Sequence, residues 1–167
     1  MREHRRTLLV VDDDDDIRDI LADIGAKEGY TVEIARDGLE ALSILRTRRI
    51  DAVLTDLMMP NMNGSELILR TRSLGKSTPF VMVSGMADDA AILKAFRSGA
   101  CDYVSKPFSS EHLAKIINRV LDIGHRLNTV DELLTEIANS DEGLAEKIEK
   151  IRRSQQQVSP LLAISAI

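Results

Sequence analysis

The chain of 167 residues has little of what stabilises small secreted domains or anchors membrane proteins. Its single cysteine, Cys101, cannot form a disulfide within the chain, which is typical of a reducing compartment. The longest apolar runs are only a few residues, whereas a membrane-spanning helix needs about 20. The charged start, MREHRR, leads directly into a strand pattern and lacks the apolar core of a signal peptide. We therefore expect a cytoplasmic protein without a membrane span.

An excess of positive charge is also missing. The chain has 22 Lys and Arg against 27 Asp and Glu, a formal net charge of -5 at pH 7. No overall positive field therefore attracts nucleic acid or an anionic membrane. With 44% hydrophobic and 29% charged residues, the chain is neither disordered nor fibrous, and its length suits one globular domain plus a short additional segment.

Short apolar runs alternate with segments of helical period five times in succession. Most of these runs are apolar throughout, as in parallel strands that are buried on both faces. The predicted strands are residues 7–11, 31–35, 52–55, 80–84 and 102–105. The predicted helices are residues 17–28, 39–46, 64–73 and 88–98, with a fifth that begins near Ser109 or Ser110.

Five such units predict an α/β fold, a doubly wound five-stranded parallel sheet with helices on both faces. The expected strand order is 2-1-3-4-5. In sheets of this kind the ligand site lies beyond the carboxyl ends of the strands, where the order reverses between strands 1 and 3. Functional side chains are therefore expected at that edge.

Charged and hydroxyl side chains follow the strands at this edge. Asp12 and Asp13 come after strand 1, Asp56 after strand 3, Ser84 at the end of strand 4 and Lys106 after strand 5. Three converging carboxylates repel one another unless a cation neutralises them, and magnesium prefers such oxygen ligands. Histidine and cysteine do not cluster here as a zinc site requires. The sequence therefore predicts a magnesium site.

The same residues suit phosphoryl transfer, in which a protein mainly positions groups and balances charge. Asp56 is the candidate nucleophile, because a carboxylate can attack phosphorus and form an acyl phosphate. Lys106 would offset charge on the transferred group, and Ser84 would donate a hydrogen bond to one of its oxygens. Gly85 lacks a side chain, so its backbone N–H can approach the same oxygens.

Four segments, VVDDDDDIR, VLTDLMMPNMNG, VMVSG and DYVSKPF, together resemble the receiver domain of two-component response regulators. The resemblance covers about residues 5–123. It implies that Asp56 accepts a phosphoryl group from a sensor histidine kinase or a phosphotransfer protein. The family itself has the strand order 2-1-3-4-5, so the resemblance and the general rule do not support that order independently.

The resemblance also implies roles for individual residues. Asp13, Asp56 and the Met58 carbonyl would ligate magnesium, with Asp12 acting through a bound water. Met58 would lie beside the phosphoryl group as well.

Lys106, preceding a cis Pro107, would pair with the phosphoryl group. Ser84, where threonine is commoner, would form a switch pair with Tyr103 and change the face built from helix 4, strand 5 and helix 5.

Other candidate residues have simpler interpretations. Asp14 to Asp16 suit the cap and first turn of helix 1, and Tyr103 could be a packing residue as well as a switch. Cys101 is interpreted as a small buried hydrophobe. The histidines show no paired ligand spacing and are assigned no phosphotransfer role: His4, His112 and His125.

A heptad pattern runs through the C-terminal part and predicts a long helix that pairs with another helix, most simply in a homodimer. Eleven of its twelve core positions are apolar. The a positions are Leu113, Val120, Leu127, Leu134, Asp141 and Ile148, and the d positions are Ile116, Ile123, Val130, Ile137, Leu144 and Ile151. The alternative is a helix that folds back onto its own domain, with a break at residues 139–143.

The chain is thus divided into a phosphoacceptor domain, residues 1–123, and a helical, coiled-coil extension with an apolar tail, residues 124–167. The extension has seven acidic and five basic residues and is too short for a DNA-binding module with its own core. We therefore expect no direct contact with nucleic acid. The apolar residues 161–167 have no assigned role.

Two other functions fit parts of the sequence. One is a receiver-like scaffold that works without phosphorylation, against which the intact set of site residues argues. The other is a phosphatase of the haloacid dehalogenase type, whose Asp-x-Asp motif matches Asp12 and Asp14. In that family Thr or Val is expected where this chain has Asp16, and the nucleophile would be Asp12 rather than Asp56.

Overall fold

The computed structural model describes residues 5–140 together with Glu146 and Glu149. Strands and helices alternate from the first to the last element. They are β1 (Thr7–Val11), α1 (Asp15–Lys27), β2 (Thr31–Ala35), α2 (Gly38–Thr47), β3 (Ala52–Thr55), α3 (Gly64–Ser73), β4 (Phe80–Ser84), α4 (Asp89–Ser98), β5 (Asp102–Ser105) and α5 (Ser110–Ser140). All five strands have the predicted bounds. Within the described residues, no helix is both long and apolar enough to span a membrane.

The predicted α/β sheet is confirmed. All its strand pairs are parallel, and their order is β2-β1-β3-β4-β5. Side chains alternate between the two faces, so each face builds its own core. Leu9, Val53 and Phe80 pack on one face with α2, α3 and α4, whereas Leu8, Leu54 and Val81 pack on the other with α1 and α5.

The helices begin where acidic or amide side chains can accept hydrogen bonds from free backbone N–H groups. Asp14, Asp37, Asn63 and Asp88 are the N-caps of α1 to α4. The first helix begins at Asp15, two residues before the predicted start. The Asp14 side chain caps it, and Asp15 and Asp16 form its first turn, where negative side chains are favourable. The capping role of this aspartate run is confirmed.

Helix α5 has 31 residues and passes without a break through the predicted boundary at residues 123 and 124. Its early heptad residues are buried under the sheet, whereas Ile123, Leu127 and Val130 are between 38% and 50% exposed. The last four predicted positions, Asp141, Leu144, Ile148 and Ile151, lie outside the described residues, as do His4 and the apolar residues 161–167. The described domain thus leaves these three apolar side chains of α5 exposed.

Candidate functional site

The carboxyl edge of the sheet brings the predicted acidic residues together. One carboxylate oxygen from each of Asp12, Asp13 and Asp56 lies within 4.8 Å of the others. Asp12 is fully buried, Asp56 is half-buried and Asp13 is exposed. Because β1 and β3 are neighbours, the turns that follow them place these side chains at one point of the edge.

Lys106 reaches the acidic cluster from the end of β5. Its Nζ lies 2.9 Å from Asp12 Oδ2 and 3.3 Å from Asp56 Oδ2, and its side chain is 19% exposed. The Lys106–Pro107 peptide bond is cis, as the resemblance implies. One lysine therefore pairs with two of the three carboxylates, which leaves the cluster with excess negative charge.

Burial and charge oppose each other in setting the protonation of this pair. Burial raises the pKa of Asp12 above its ordinary 3.8, although the hydrogen bonds from Lys106 and from the Asp14 N–H lower it. Burial alone would lower the pKa of Lys106. Its hydrogen bond to Asp12 and the charge of Asp56 outweigh this, so the pKa of Lys106 is raised. Lysine is therefore held in the charged form beside a carboxylate that is costly to ionise.

The donor atoms fit a hard divalent cation. Among the residues that the structure describes, the cluster offers carboxylate oxygens and no histidine or cysteine ligand, which suits magnesium better than zinc. Met58 is 60% exposed, and its N–H donates to Asp56 Oδ1 at 3.2 Å, so its backbone lies beside the cluster. The set of oxygens and the exposed side together suit an ion that keeps several waters.

The predicted switch residues meet at the loop after β4. Ser84 is buried, and its Oγ accepts a hydrogen bond from the Met86 N–H at 3.3 Å. The Tyr103 hydroxyl donates to the Met86 carbonyl, and its half-buried ring packs against the core on the α3 and α4 side. The backbone of Met86 therefore links the serine to the tyrosine, a connection that side-chain patterns did not reveal.

Comparison with known proteins identifies the fold and the family. The sequence model of the response regulator receiver domain matches residues 8–118, which is about two thirds of the chain. The chain belongs to this family. MprA, a response regulator from Mycobacterium sp. (strain KMS), is 39% identical over 106 residues, 64% of this chain and 46% of that protein. The chain therefore spans about half the length of this relative.

Further relatives support the same assignment. MtrA of Mycolicibacterium paratuberculosis, described as a DNA-binding response regulator, is 32% identical over 156 residues, 93% of this chain and 66% of that protein. A signal receiver domain from an HD domain-containing protein of Pseudomonas fluorescens superposes with a TM-score of 0.69 at 30% identity, covering 74% of this chain and 99% of that one. A CheY-like receiver domain protein from Methanospirillum hungatei gives 0.67 at 31% identity, covering 73% and 98%.

One residue of the receiver site, Arg18, was not predicted from the sequence. Arg18 of α1 is buried, and its Nη1 donates to the Asp12 carbonyl at 2.8 Å while its Nη2 pairs with Asp15. This guanidinium fixes the backbone that carries the acidic pair. The sequence signal that could have indicated this role is the position of Arg18 on the buried side of an amphipathic helix, near Ile17 and Leu21.

Gly85 is less constrained than expected. A Cβ at this position would meet nothing within 4 Å among the described residues. Packing therefore does not require glycine here, and the approach of its N–H to a phosphoryl group remains a prediction.

Gly64 ends the predicted motif VLTDLMMPNMNG and stands at the start of α3, where the structure adds a steric reason for glycine. A Cβ here would overlap the Asp56 carbonyl oxygen and would lie 2.9 Å from Met82 Sδ. We expect Gly64→Ala to destabilise the domain by about 2 kcal/mol and to displace Asp56, slowing phosphoryl uptake. Urea unfolding and intact-mass time courses measure both effects. Ser73→Ala, at the exposed end of the same helix, is the control, and an unchanged Gly64→Ala would contradict this interpretation.

Proposed function

We propose that the chain is a two-component switch in which Asp56 accepts a phosphoryl group from a phosphohistidine of a sensor histidine kinase or phosphotransfer protein. The observation that supports this most is the meeting of three carboxylates and one lysine at the carboxyl edge of the sheet. An Asp56 oxygen would form a bond to phosphorus as the phosphorus–nitrogen bond breaks. The freed imidazole nitrogen keeps the electron pair of that bond, and the phosphoryl group becomes an acyl phosphate.

The residues around Asp56 have distinct proposed roles. Asp12, Asp13, Asp56 and the Met58 carbonyl would hold Mg²⁺, with Asp12 acting through water. Bound Mg²⁺ would offset negative charge on the transferred group. Lys106 would turn from its carboxylate partners toward the phosphoryl oxygens, because they gain negative charge within its reach.

Ser84 and Gly85 would complete the phosphoryl site from the β4 side. The Ser84 hydroxyl would donate to one phosphoryl oxygen. It accepts a bond from Met86, so any movement of Ser84 disturbs the loop that Tyr103 also holds. The phosphoryl group would therefore favour one of two arrangements of the α4, β5 and α5 face, a population shift toward the active form.

The simplest test is the intact mass of the full chain after incubation with acetyl phosphate. We expect one added phosphoryl group with Mg²⁺ and none after chelation. Borohydride trapping followed by peptide mapping should place the group on Asp56. Trapping on Asp12 would instead favour the phosphatase hypothesis, and no uptake even from a phosphorylated histidine protein would favour the scaffold.

The phosphatase hypothesis also has to explain Asp14. Its carboxylate accepts hydrogen bonds from the N–H groups of Asp16 and Ile17 at the start of α1. As a helix cap it is already engaged and exposed rather than directed at a shared site. This contact favours the receiver over the phosphatase.

The acyl phosphate should be long-lived. Met58 and Met86 are 60% and 40% exposed beside the site, and neither side chain can orient an attacking water by a strong hydrogen bond. We expect loss over minutes or longer in the purified protein, followed by intact mass after removal of the phosphodonor. Met58→Gln supplies an amide and should shorten the lifetime. Loss within seconds in the wild type would contradict this prediction.

The proposed output is homodimerisation or partner binding through the C-terminal helix, without direct contact to nucleic acid. Ile123, Leu127 and Val130 of α5 are exposed at heptad spacing. We expect sedimentation to show a dimer that Leu127→Glu weakens by about a hundredfold, because two charges would enter one apolar seam. Thr129→Glu, which introduces the same charge at an exposed c position away from the seam, is the control. A monomer at high concentration, with and without beryllofluoride, would rule the dimer out.

A further inference from the structure

A polar cluster ties α5 to the opposite edge of the sheet, where the strands begin. We call Arg49, Asp51, Gly124, His125 and Asn128 the basal anchor. Asp51 stands directly before β3 and is only 2% exposed. A buried carboxylate is stable only when its oxygens are paired, so the identity of its partners shows which parts of the fold it holds together.

Asp51 is bonded on two sides. Its Oδ2 accepts from the Thr7 N–H at 2.8 Å, and its own N–H donates to the Thr7 carbonyl at 2.9 Å, which fixes it to β1. Its Oδ1 accepts from Asn128 Nδ2 at 2.9 Å, and the same amide nitrogen donates to the Ile50 carbonyl at 3.1 Å. The side-chain amide of Asn128 in α5 therefore donates hydrogen bonds to two acceptors at the edge of the sheet, the Asp51 carboxylate and the Ile50 carbonyl.

Two further side chains surround the same carboxylate. Arg49 Nε lies 3.6 Å and His125 Nδ1 3.9 Å from Asp51 Oδ1, and Arg49 Nη2 lies 3.4 Å from His125 Nδ1. Arg49 also pairs with Glu132, one turn beyond Asn128. The contact between helix and sheet edge thus extends over two turns of α5 beyond the apolar core.

Gly124 allows the backbones to meet. A Cβ at Gly124 would overlap the Asp51 carbonyl oxygen and would lie 3.1 Å from Pro79 Cδ. The helix surface therefore rests directly on the backbone before β3. Gly124, Asn128 and Glu132 are four residues apart, so they lie along one side of α5.

The neighbouring side of the same helix carries three exposed apolar residues, which we call the α5 stripe: Ile123, Leu127 and Val130. Between the helix and the domain, beyond the anchor, lies a cavity of about 670 Å³. Its lining is mostly polar, including Arg46, Lys76, Asn128 and Glu132. Apolar packing therefore does not hold this part of α5 against the domain, whereas the polar anchor does.

We infer that the basal anchor fixes the direction and rotation of the α5 extension, and so determines that the α5 stripe faces a second copy of this chain rather than its own domain. The identity of the partner rests on the proposed pairing through α5. The heptad pattern supports a second copy, because its a and d positions recur in the 27 residues that follow Ser140. The anchor residues themselves would not touch the partner.

The test measures the orientation of α5 within one chain. Spin labels at Lys27→Cys and Asn139→Cys, in a Cys101→Ser background, report the distance between the exposed end of α1 and the far end of the described helix. Dilution with excess unlabelled protein removes distances between chains. We expect one narrow distance distribution in the parent and a shifted, broader one in Asn128→Ala.

Thr129→Ala is the matched control, because Thr129 is exposed and its hydroxyl bonds only to the His125 carbonyl of its own helix. It should leave the distance unchanged. Asn128→Ala should also weaken any dimer by about tenfold, since a loosened helix must be ordered again on pairing. Thermal unfolding verifies that both variants are folded.

The outcomes separate the two hypotheses. An unchanged distance in Asn128→Ala overturns the anchor, whether or not the chain dimerises. A broadened distance together with a weakened dimer supports the whole inference. A broadened distance in a chain that sediments only as a monomer supports the anchor and refutes the pairing.

Discussion

Asp56→Asn should take up no phosphoryl group and should nevertheless unfold at a higher temperature than the wild type in the absence of Mg²⁺. An amide nitrogen and oxygen cannot replace the carboxylate as nucleophile, so phosphoryl uptake should fall by at least about a thousandfold. The gain in stability follows from charge. Asp56 lies within 4.8 Å of two other carboxylates and 3.3 Å from one lysine, so its removal relieves two repulsions for one lost attraction.

The expected gain is about 1 kcal/mol, because Asp12 keeps its bond to Lys106 at 2.9 Å. Intact mass and thermal unfolding with and without Mg²⁺ measure the two effects. Asp89→Asn, which changes the same kind of side chain in the first turn of α4, controls for a general loss of negative charge. Phosphoryl uptake that survives in Asp56→Asn would show that another residue is the nucleophile. A lower unfolding temperature would show that the attraction between Asp56 and Lys106 outweighs the repulsion among the carboxylates.

The opposite signs of these effects explain the design of the site. A protein selected only for stability would not place three carboxylates around one lysine at the edge of a sheet. The cluster holds an excess of negative charge that a divalent cation can offset, so cation binding would recover free energy that the repulsion costs on folding. Burial of Asp12 strengthens this effect, because its carboxylate is costly to ionise even beside Lys106.

Much of the fold could be predicted because its signals are local. Each strand is a short apolar run bounded by turn residues, and the strand order is the one that the family resemblance already implies. The same topology predicts that Asp12, Asp56 and Lys106 lie at one edge of the sheet, and the distances among them agree. The family assignment rests on those motifs and on the match to residues 8–118.

The unpredicted contacts are all long-range or involve backbone atoms. The bond from Arg18 to the Asp12 carbonyl, and the meeting of Ser84 and Tyr103 at the Met86 backbone, have no side-chain pattern in the sequence. Asn128 lies 77 residues from Asp51, so a heptad analysis could indicate its helix but not its partner. Such contacts depend on how the helices are placed on the sheet, which periodicity alone does not determine.

Lys106→Ala should be the most destabilising single change at the site, at about 3 kcal/mol near neutral pH, and should also greatly slow phosphoryl uptake. It removes the cation that pairs with fully buried Asp12 and with Asp56, and an unpaired buried charge costs several kcal/mol. Lys115→Ala is the control, because the exposed pair of Lys115 with Glu111 contributes less than about 1 kcal/mol. Urea unfolding of the three proteins gives the comparison.

The pH dependence tests the cause of this loss. The pKa of Asp12 is raised in the folded state, so that state binds protons more tightly than the unfolded chain, and stability falls as the pH rises from 3.8 through the folded pKa. Without Lys106 the pKa of Asp12 rises further, which makes this fall larger. The penalty of Lys106→Ala should therefore be greatest near neutral pH and shrink as the pH approaches 3.8. Mg²⁺ should stabilise the variant more than the wild type, because it supplies the missing positive charge; a penalty that depends on neither pH nor Mg²⁺ would mean that Lys106 acts through packing.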